Sequence, residues 1–147
     1  MNNISIRTAQ LYDVEGIEKI ERLSFPTPWS QQLIREEILF PLSLNLIAEQ
    51  AEEVVGYVLS WLIVPEVHIL NLAVTPQERK KGIGKMILES LLQEGLEKGA
   101  TKFTLEVRHR NEAAICFYKH FGFLVKGVRK GYYQDTGEDA LIMWKEF

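Results

Sequence analysis

Apolar positions along this chain alternate between stretches with helical spacing and stretches with strand spacing. Four helices are predicted where apolar residues recur three or four positions apart, at 14–25, 31–40, 83–98 and 111–121. Seven strands are predicted from alternating or continuous apolar runs, at 4–9, 44–50, 54–64, 67–74, 102–107, 123–133 and 138–147. The order is β-α-α-β-β-β-α-β-α-β-β, and its strand–helix–strand units indicate a partly parallel, mixed α/β sheet.

Capping and terminating residues support these boundaries. Ser30 can accept a hydrogen bond from the start of the second helix, and Pro41 ends that helix. Asn111 is the predicted N-cap of the fourth helix, which Gly122 ends, and Gly99 ends the third. Three of the four predicted helices therefore carry a local end signal.

The composition is that of an ordinary globular chain. Its 147 residues favour one domain spanning 1–147, with 46% hydrophobic and 25% charged residues. A net charge of −3 argues against binding nucleic acid through charge alone. The sequence lacks an apolar run of the about 20 residues that span a bilayer, and its N-terminus does not read as a secretory signal. We expect a cytoplasmic protein that binds neither nucleic acid nor membrane.

The cysteine and histidine content excludes other kinds of site. A single cysteine, Cys116, cannot form an intrachain disulfide or a cysteine-based zinc site, and we expect it to be a small buried apolar residue. The three histidines, His68, His109 and His120, lack metal-ligand spacing. No metal is therefore expected.

Basic residues and glycines precede the third predicted helix. Gly82 and Gly84 allow the backbone to approach an anion closely, and the first N–H groups of a helix lack intrahelical partners. Arg79, Lys80 and Lys81 would add charge-assisted contacts. The segment predicts a phosphate site, but its spacing fits neither the dinucleotide fingerprint nor the P-loop. A solvated basic turn remains the alternative.

A carboxylate near the end of the fifth predicted strand is a candidate general base. Strand alternation places Thr104, Glu106 and Arg108 on the face opposite Leu105 and Val107. Burial of a carboxylate raises its pKa towards the range that suits a base at neutral pH. The alternative is that Glu106 pairs with a neighbouring arginine or faces water.

Two residues of the fourth predicted helix also carry candidate chemistry. Asn111 and Tyr118 are seven residues apart, about two helical turns, so both can lie on one face. A tyrosine hydroxyl can donate a proton to a leaving group. The alternatives are that Tyr118 is a half-buried core residue and that Asn111 is only a helix cap.

Together these segments resemble the GNAT superfamily of acetyl-CoA-dependent N-acetyltransferases. Its signature, [R/Q]-x-x-G-x-[G/A], is present as the run from Arg79 to Gly84, and the segment NEAAICFYKHFGF at 111–123 is its second hallmark. The resemblance covers nearly the whole chain. It implies an α/β GNAT fold, a mixed and mostly antiparallel sheet of about seven strands flanked by about four helices. It also implies that the glycine turn binds the pyrophosphate of coenzyme A.

Three segments are similar to those of ribosomal-protein-alanine N-acetyltransferases: Ser24–Ser30, Leu105–Phe123 and Gly131–Met143. This finer resemblance implies that acetyl-CoA donates its acetyl group to the N-terminal α-amine of a protein. The expected acceptor is the N-terminal alanine of a small-subunit ribosomal protein. Direct attack in a ternary complex is implied, with the segments 24–30 and 131–134 flanking the acceptor peptide.

The resemblance also implies roles for individual residues. Glu106 corresponds to the base and Tyr118 to the acid that protonates the departing thiolate. The implied coenzyme-binding residues are Leu72, Ala73, Val74, Arg79, Lys80, Lys81, Gly82, Ile83, Gly84, Lys85, Asn111, Ala114, Phe117 and Tyr118. The implied acceptor-binding residues are Phe25, Trp29, Tyr132 and Tyr133. Three of these residues, Trp29, Tyr132 and Tyr133, fit partly buried packing equally well.

Two other functions fit parts of this pattern. The superfamily signature is equally compatible with acetylation of a small amine, and only the two acceptor segments favour a peptide. A non-catalytic module that binds acetyl-CoA would need the glycine turn without Glu106 and Tyr118, and both are present. The sequence defines neither the oligomeric state nor which protein N-terminus is modified.

Overall fold

The computed structural model describes residues 3–147; Met1 and Asn2, the first residues of the predicted single domain, lie outside the described residues. The strands are β1 (Ser5–Thr8), β2 (Leu46–Gln50), β3 (Glu53–Ile63), β4 (Glu66–Val74), β5 (Lys102–Arg108), β6 (Leu124–Tyr133) and β7 (Glu138–Glu146). The α-helices are α1 (Val14–Ser24), α2 (Gln31–Leu39), α3 (Ile83–Glu97) and α4 (Glu112–His120). The predicted elements and their order are confirmed.

The seven strands form one sheet in the order β1-β2-β3-β4-β5-β7-β6. Every neighbouring pair is antiparallel except β4 and β5, which run parallel and are joined through α3. A parallel pair needs such a crossover, whereas the antiparallel pairs close through short turns or longer returns. The mixed, mostly antiparallel sheet that the resemblance implied is therefore confirmed.

Apolar side chains form a core on each face of the sheet. On one face α3 and α4 contribute Ile87, Leu88 and Ile115, which pack with Phe103 and Val107 of β5. On the other face, residues of α1 and α2 pack on β2, β3 and β4; they are Val14, Ile17, Ile20 and Ile34. Each helix buries one apolar stripe, as its spacing predicts.

The single cysteine does not lie in either core. Cys116 is exposed on α4, whereas Ile115 and Tyr118 are buried. At about 100° per residue, position 116 points away from the face that holds 115 and 118. The expectation of a buried Cys116 is therefore wrong, because its helix face rather than its apolar character decides its exposure.

We expect Gly95→Ala to lower the free energy of unfolding by about 1–2 kcal/mol. A Cβ atom at Gly95 would lie 2.8 Å from the ring of Phe103, which is fully buried and cannot move aside, and 3.2 Å from Val67. Overpacking of this kind costs about 1–3 kcal/mol, more than the roughly 1 kcal/mol that alanine gains in helix propensity. Urea denaturation measures the difference. Gln93→Ala, at an exposed position of the same helix, is the control, and a more stable Gly95→Ala protein would contradict this packing.

Candidate functional site

The parallel strands β4 and β5 separate halfway along their length. They pair from Glu66 with Lys102 as far as Ile69 with Leu105, and within the described residues this pairing continues no further. The separation follows a bulge in β4, where Leu70 has no partner between two register positions of β3. Beyond it, each strand has a free backbone edge that faces the gap. The result is a slot within the sheet whose N–H and C=O groups can bind an extended ligand.

The first turn of α3 lies beyond the end of β4 and offers unpaired backbone N–H groups. Gly82 precedes the helix with φ +84°, a left-handed conformation that favours glycine, and no side chain of residues 3–147 caps this end. The first helical hydrogen bond runs from Met86 N–H to Gly82 O, at 3.1 Å. The N–H groups of Ile83, Gly84 and Lys85 therefore point out of the helix, an arrangement that binds anions.

Two of the basic side chains before this helix are already engaged. The Arg79 guanidinium donates to Val74 O and to Ser24 Oγ, each at 2.9 Å. Lys81 Nζ lies 2.9 Å from Glu78 Oε2. Arg79 and Lys81, which were predicted to contact a phosphate, therefore bind other protein groups in this structure. The donors that face outwards are the N–H groups at the start of α3.

Helix α4 closes the slot on the face that it shares with α3. A Cβ atom at Gly84 would lie 3.5 Å from Phe117 and 3.7 Å from Val74, so the start of α3, the end of β4 and α4 meet here. Ala114 and Phe117 are partly buried against the same core. The side chain of Asn111 accepts from the N–H of Ala114 at 3.1 Å, and the predicted N-cap is confirmed.

Tyr118 is buried among aromatic rings beneath this region. Its ring centroid lies 5.2 Å from that of Phe117 and 5.5 Å from that of Phe123, both in edge-on arrangements. Burial raises the pKa of Tyr118 well above its ordinary value. The hydroxyl keeps its proton at neutral pH, as it also would at the ordinary pKa of a tyrosine.

Glu106 lies on the opposite face of the sheet, as strand alternation predicts, but it is not buried. Its side chain is 32% exposed, and its carboxylate oxygen lies 3.6 Å from Nε of Arg129. Glu106 is thus partly exposed, and the alternative of pairing with a neighbouring arginine is present. That pair is long and Arg129 is itself 56% exposed, so the contact is weak and leaves the carboxylate accessible to water.

The predicted acceptor residues lie in the loop between α1 and α2, which holds Phe25 and Trp29, and at the end of β6, which holds Tyr132 and Tyr133. Phe25 and Trp29 are partly buried against the core beneath α1 and α2. Tyr132 is exposed, whereas the ring of Tyr133 stacks under the guanidinium of Arg108, 4.0 Å from ring centroid to Cζ. Burial raises the pKa of Tyr133 to about 12, although Arg108 opposes this effect. The packing alternative therefore applies to Phe25 and Trp29.

The loop between α1 and α2 and the turn between β6 and β7, called the two loops below, are joined by a charged network that sequence reasoning missed. Thr27 Oγ1 donates to Asp135 at 2.6 Å, and the guanidinium of Arg108 donates to both oxygens of Asp135 at 2.8 and 3.0 Å. These hydrogen bonds, led by those from Arg108, hold the pKa of Asp135 well below its ordinary value. The loop between α1 and α2 is thereby linked to the β6–β7 turn and to the end of β5.

Residues 14–123 match the sequence profile of a family described as Acetyltransferase (GNAT) family. The chain belongs to this family. As a GNAT acetyltransferase it uses the cosubstrate of that family, acetyl-CoA. The match spans from the first residue of α1 to the segment after α4, and so includes the slot, the turn before α3, Glu106 and Tyr118.

Relatives of this acetyltransferase resemble it over nearly their whole length. A candidate [ribosomal protein bS18]-alanine N-acetyltransferase of Bacillus subtilis is 36% identical, with 95% of this chain and 93% of that protein covered. An N-alpha-acetyltransferase of Sulfurisphaera tokodaii is 35% identical, with 94% and 90% covered. The crystal structure of the ribosomal-protein-S18-alanine N-acetyltransferase from Escherichia coli matches with a TM-score of 0.91 at 29% identity, covering 98% of this chain and 94% of that one.

The described part of the acetyltransferase contains neither a cluster of metal ligands nor a helix that could span a membrane. Across residues 3–147, no group of three or more His, Cys, Asp or Glu side chains is arranged to hold a metal ion. In the same residues no helix is both long enough and apolar enough to cross a membrane.

A second residue that sequence reasoning missed is Glu21 of α1. It is fully buried although it carries a carboxylate, and it lies next to Ile20 and four positions after Ile17 in the apolar stripe. A charged residue at a core position of an amphipathic helix is the sequence signal that marks it, because such groups are rarely buried without partners.

Proposed function

We propose that this acetyltransferase transfers the acetyl group of acetyl-CoA to the N-terminal α-amine of a protein, with the N-terminal alanine of a small-subunit ribosomal protein as the expected acceptor. The observation that carries the proposal is the slot between β4 and β5 together with the two loops bridged over its end by Thr27 and Asp135. The names of the B. subtilis and E. coli relatives support the acceptor. Such an acceptor would place the reaction in the cytoplasm.

The free edge of β4 and the start of α3 are the proposed binding groups for acetyl-CoA. The backbone of Leu72, Ala73 and Val74 lies beyond the last β4–β5 pair and would bind the extended pantetheine arm through its N–H and C=O groups. The outward N–H groups at the start of α3 would bind the pyrophosphate. Lys80 and Lys85, which are exposed beside this turn, would add positive charge.

The remaining proposed contacts come from α4. Ala114 and Phe117 would form the apolar wall of the slot, since both are partly buried next to the first turn of α3. Asn111 would contact the coenzyme from the start of α4, in addition to its capping role. The apolar side chains of Ala114 and Phe117 suit the pantetheine arm, which is largely uncharged. The anionic pyrophosphate is instead assigned to the N–H groups of α3.

The proposed chemistry requires a neutral amine. An α-amino group has a pKa of about 7.7–8.0, so its deprotonation at pH 7 costs about 1 kcal/mol, whereas a lysine near 10.4 costs nearly 5. A partly exposed carboxylate such as Glu106 is sufficient for the smaller cost and can receive the proton directly or through water. N–H groups of β4 would stabilise the negative charge that develops on the thioester oxygen.

The acetyl group would move to the amine without a covalent enzyme intermediate. The amine nitrogen forms the new bond to the carbonyl carbon, the carbon–sulfur bond breaks, and Tyr118 supplies a proton to the departing thiolate. Cys116 is exposed and points away from the buried face of α4 that carries Tyr118, so it is not positioned as a nucleophile. Both substrates must therefore be bound together.

A panel of acceptors tests this proposal through the release of coenzyme A from acetyl-CoA. The panel comprises short peptides that begin with Ala, Ser, Met or Glu, an N-blocked peptide with an internal lysine, and spermidine. We expect turnover only with a free α-amine and the highest kcat/KM with alanine. Turnover with spermidine or the blocked peptide alone would keep the family but overturn the acceptor, and release without any acceptor would point to hydrolysis.

We expect Asp135→Asn to raise the KM for an alanine peptide about threefold and to leave the KM for acetyl-CoA unchanged. The substitution removes the charge that Arg108 binds, so the β6–β7 turn, to which Thr27 is hydrogen-bonded, is held less firmly at the end of β5. Thr27→Val is the matched variant, because it removes only the hydrogen bond between the loops and keeps the side-chain shape. Steady-state kinetics measures both constants, and an unchanged peptide KM in both variants would show that the bridge does not shape the acceptor site.

A further inference from the structure

A fully buried carboxylate lies under the proposed acceptor site. Glu21 of α1 accepts hydrogen bonds from Trp29 N–H at 2.9 Å, from the Asn71 side-chain amide at 2.9 Å and from the Tyr57 hydroxyl. Burial raises its pKa above the ordinary value, whereas the three donated hydrogen bonds act in the opposite direction. None of these contacts is required by the roles of Glu106 or Tyr118.

The three partners belong to three different elements around the slot. Trp29 lies in the loop between α1 and α2. Asn71 follows the bulge of β4, lies beyond the last β4–β5 pair and directly precedes Leu72. Tyr57 of β3 is opposite Ala73 in the sheet. Glu21 thus connects the proposed acceptor loop to the strand that would bind the thioester.

The chemistry of the three partners calls for a carboxylate at this position. All three present donors, so a carboxylate can accept every bond, whereas a carboxamide would turn one of its own N–H donors towards them. The arrangement also extends towards the proposed acid. The pKa of Tyr57 is raised well above its ordinary value by burial first, then by the charge of Glu21 and its hydrogen bond, and finally by the nearby Tyr118.

The free-energy cost of burying the Glu21 carboxylate favours a role in positioning. Burying a carboxylate is costly, and an apolar side chain among Ile17, Ile20 and Ile34 would avoid that cost. An apolar residue would, however, leave Trp29 N–H and the Asn71 amide without their acceptor. What the carboxylate provides that leucine cannot is a fixed distance between the loop and β4.

We propose that Glu21 is a positioning residue that holds the acceptor loop at Trp29 against β4 at Asn71, so that the acceptor amine is presented to the thioester. The inference rests on the proposed function, because it assigns this loop to the acceptor. Glu21 itself is fully buried, so the role proposed for it is positioning and not contact with a substrate.

The test compares Glu21→Gln with Glu15→Gln, which makes the same change of charge at an exposed position of the same helix. For Glu21→Gln we expect a peptide KM about tenfold higher, the size of effect that the loss of one hydrogen bond to a charged group gives. The KM for acetyl-CoA should stay within about twofold. Hydrogen exchange at the Trp29 amide should become at least about tenfold faster, and Glu15→Gln should match the wild type in all three.

Tyr57→Phe is the second variant, and it tests the inference even if the Glu21→Gln protein fails to fold. It removes one donor and keeps the ring and the carboxylate, so a smaller rise in peptide KM of about threefold is expected with the KM for acetyl-CoA unchanged. A general structural defect would instead raise both KM values together. Equal rises, or an unchanged peptide KM in both variants, would overturn the inference.

The exchange measurement separates this inference from the proposed function. Should the wild-type enzyme acetylate none of the peptides, the proposed acceptor is wrong, but exchange at the Trp29 amide still shows whether Glu21 holds the loop. Should the wild type acetylate the alanine peptide while Trp29 exchange and peptide KM are the same in Glu21→Gln, the function stands and the inference fails.

Discussion

Replacing Tyr118 with phenylalanine is expected to lower kcat at least about 100-fold and to leave the KM for acetyl-CoA within about twofold, since general acid catalysis contributes about 10²–10⁴. The substitution removes one oxygen and keeps the ring. Its packing against Phe117 and Phe123 is therefore preserved, and so is the apolar wall of the slot. The predicted loss lies in the chemical step.

The physical reason is the protonation state of the buried hydroxyl. A tyrosine is protonated at neutral pH even at its ordinary pKa of 10.0, and burial, which raises the pKa of Tyr118, keeps it so. Without this donor, the thiolate must leave as an anion into a region from which α4 and the sheet exclude much of the water. An unsolvated anion is costly, and the barrier rises accordingly.

Tyr12→Phe is the matched control for this prediction, because it makes the same substitution at an exposed tyrosine far along the chain from α4. Pre-steady-state kinetics, with acetyl-CoA and an alanine peptide, separates the chemical step from product release. An unchanged kcat would remove Tyr118 from the acid role, and a large rise in the KM for acetyl-CoA would reassign it to coenzyme binding.

The order of the elements could be predicted because each one leaves a local signal. Apolar spacing defines the helices and strands, and Ser30 caps α2 as predicted, with Leu33 N–H donating to its hydroxyl at 3.2 Å. The slot has no comparable signal. It depends on a bulge at Leu70, inside a run of apolar residues whose pattern gives no indication of where pairing with β5 ends.

The partial exposure of Glu106 is one of the alternatives that the sequence left open, and the slot accounts for it. A strand in the interior of a sheet is flanked on both sides, and a side chain on such a strand is expected to be covered. At Glu106 the neighbour on one side, β4, has already separated, because the last β4–β5 pair is Ile69 with Leu105. The loss of that neighbour opens the surface around the carboxylate.

Contacts between distant segments also escaped sequence reasoning. Thr27 and Asp135 are separated by 108 positions, and Glu21 and Asn71 by 50. Thr27, Asn71 and Asp135 are unremarkable in their own segments, and Glu21 stands out there only as a charge in an apolar stripe; only the fold brings the partners together. Site residues within one continuous motif could be named from the sequence, whereas those that join two loops could not.

Replacing Glu106 with glutamine is expected to reduce kcat/KM for an alanine peptide about 30-fold at pH 7, somewhat less than the about 10²–10⁴-fold that general acid–base catalysis typically contributes. Glutamine keeps the size and the hydrogen-bonding capacity of the side chain but cannot accept a proton. The deficit should shrink to about threefold or less at pH 9, because most of the α-amine is then already neutral without a base.

The shape of the pH profile is therefore more informative than the rate at a single pH. Without the carboxylate, the rate should follow the fraction of free amine and rise through a single transition near pH 7.7–8.0, the range of an α-amino group. The wild type should retain activity further towards acid pH. Glu53→Gln, at an exposed position of β3, makes the same change of charge away from the slot and should leave the profile unchanged.

Arg129 gives the decisive comparison for Glu106. Its guanidinium is the cation nearest to the carboxylate in the described salt bridges, at 3.6 Å, and it is more than half exposed. If Glu106 mattered only as half of that ion pair, Arg129→Gln and Glu106→Gln would cause equal, small losses at every pH, as exposed pairs do. If Glu106 acts as a base, the loss of activity in Glu106→Gln should be much larger than in Arg129→Gln and confined to acid pH. Parallel pH–rate profiles in the two variants would exclude Glu106 as the base and would mean that water alone deprotonates the amine.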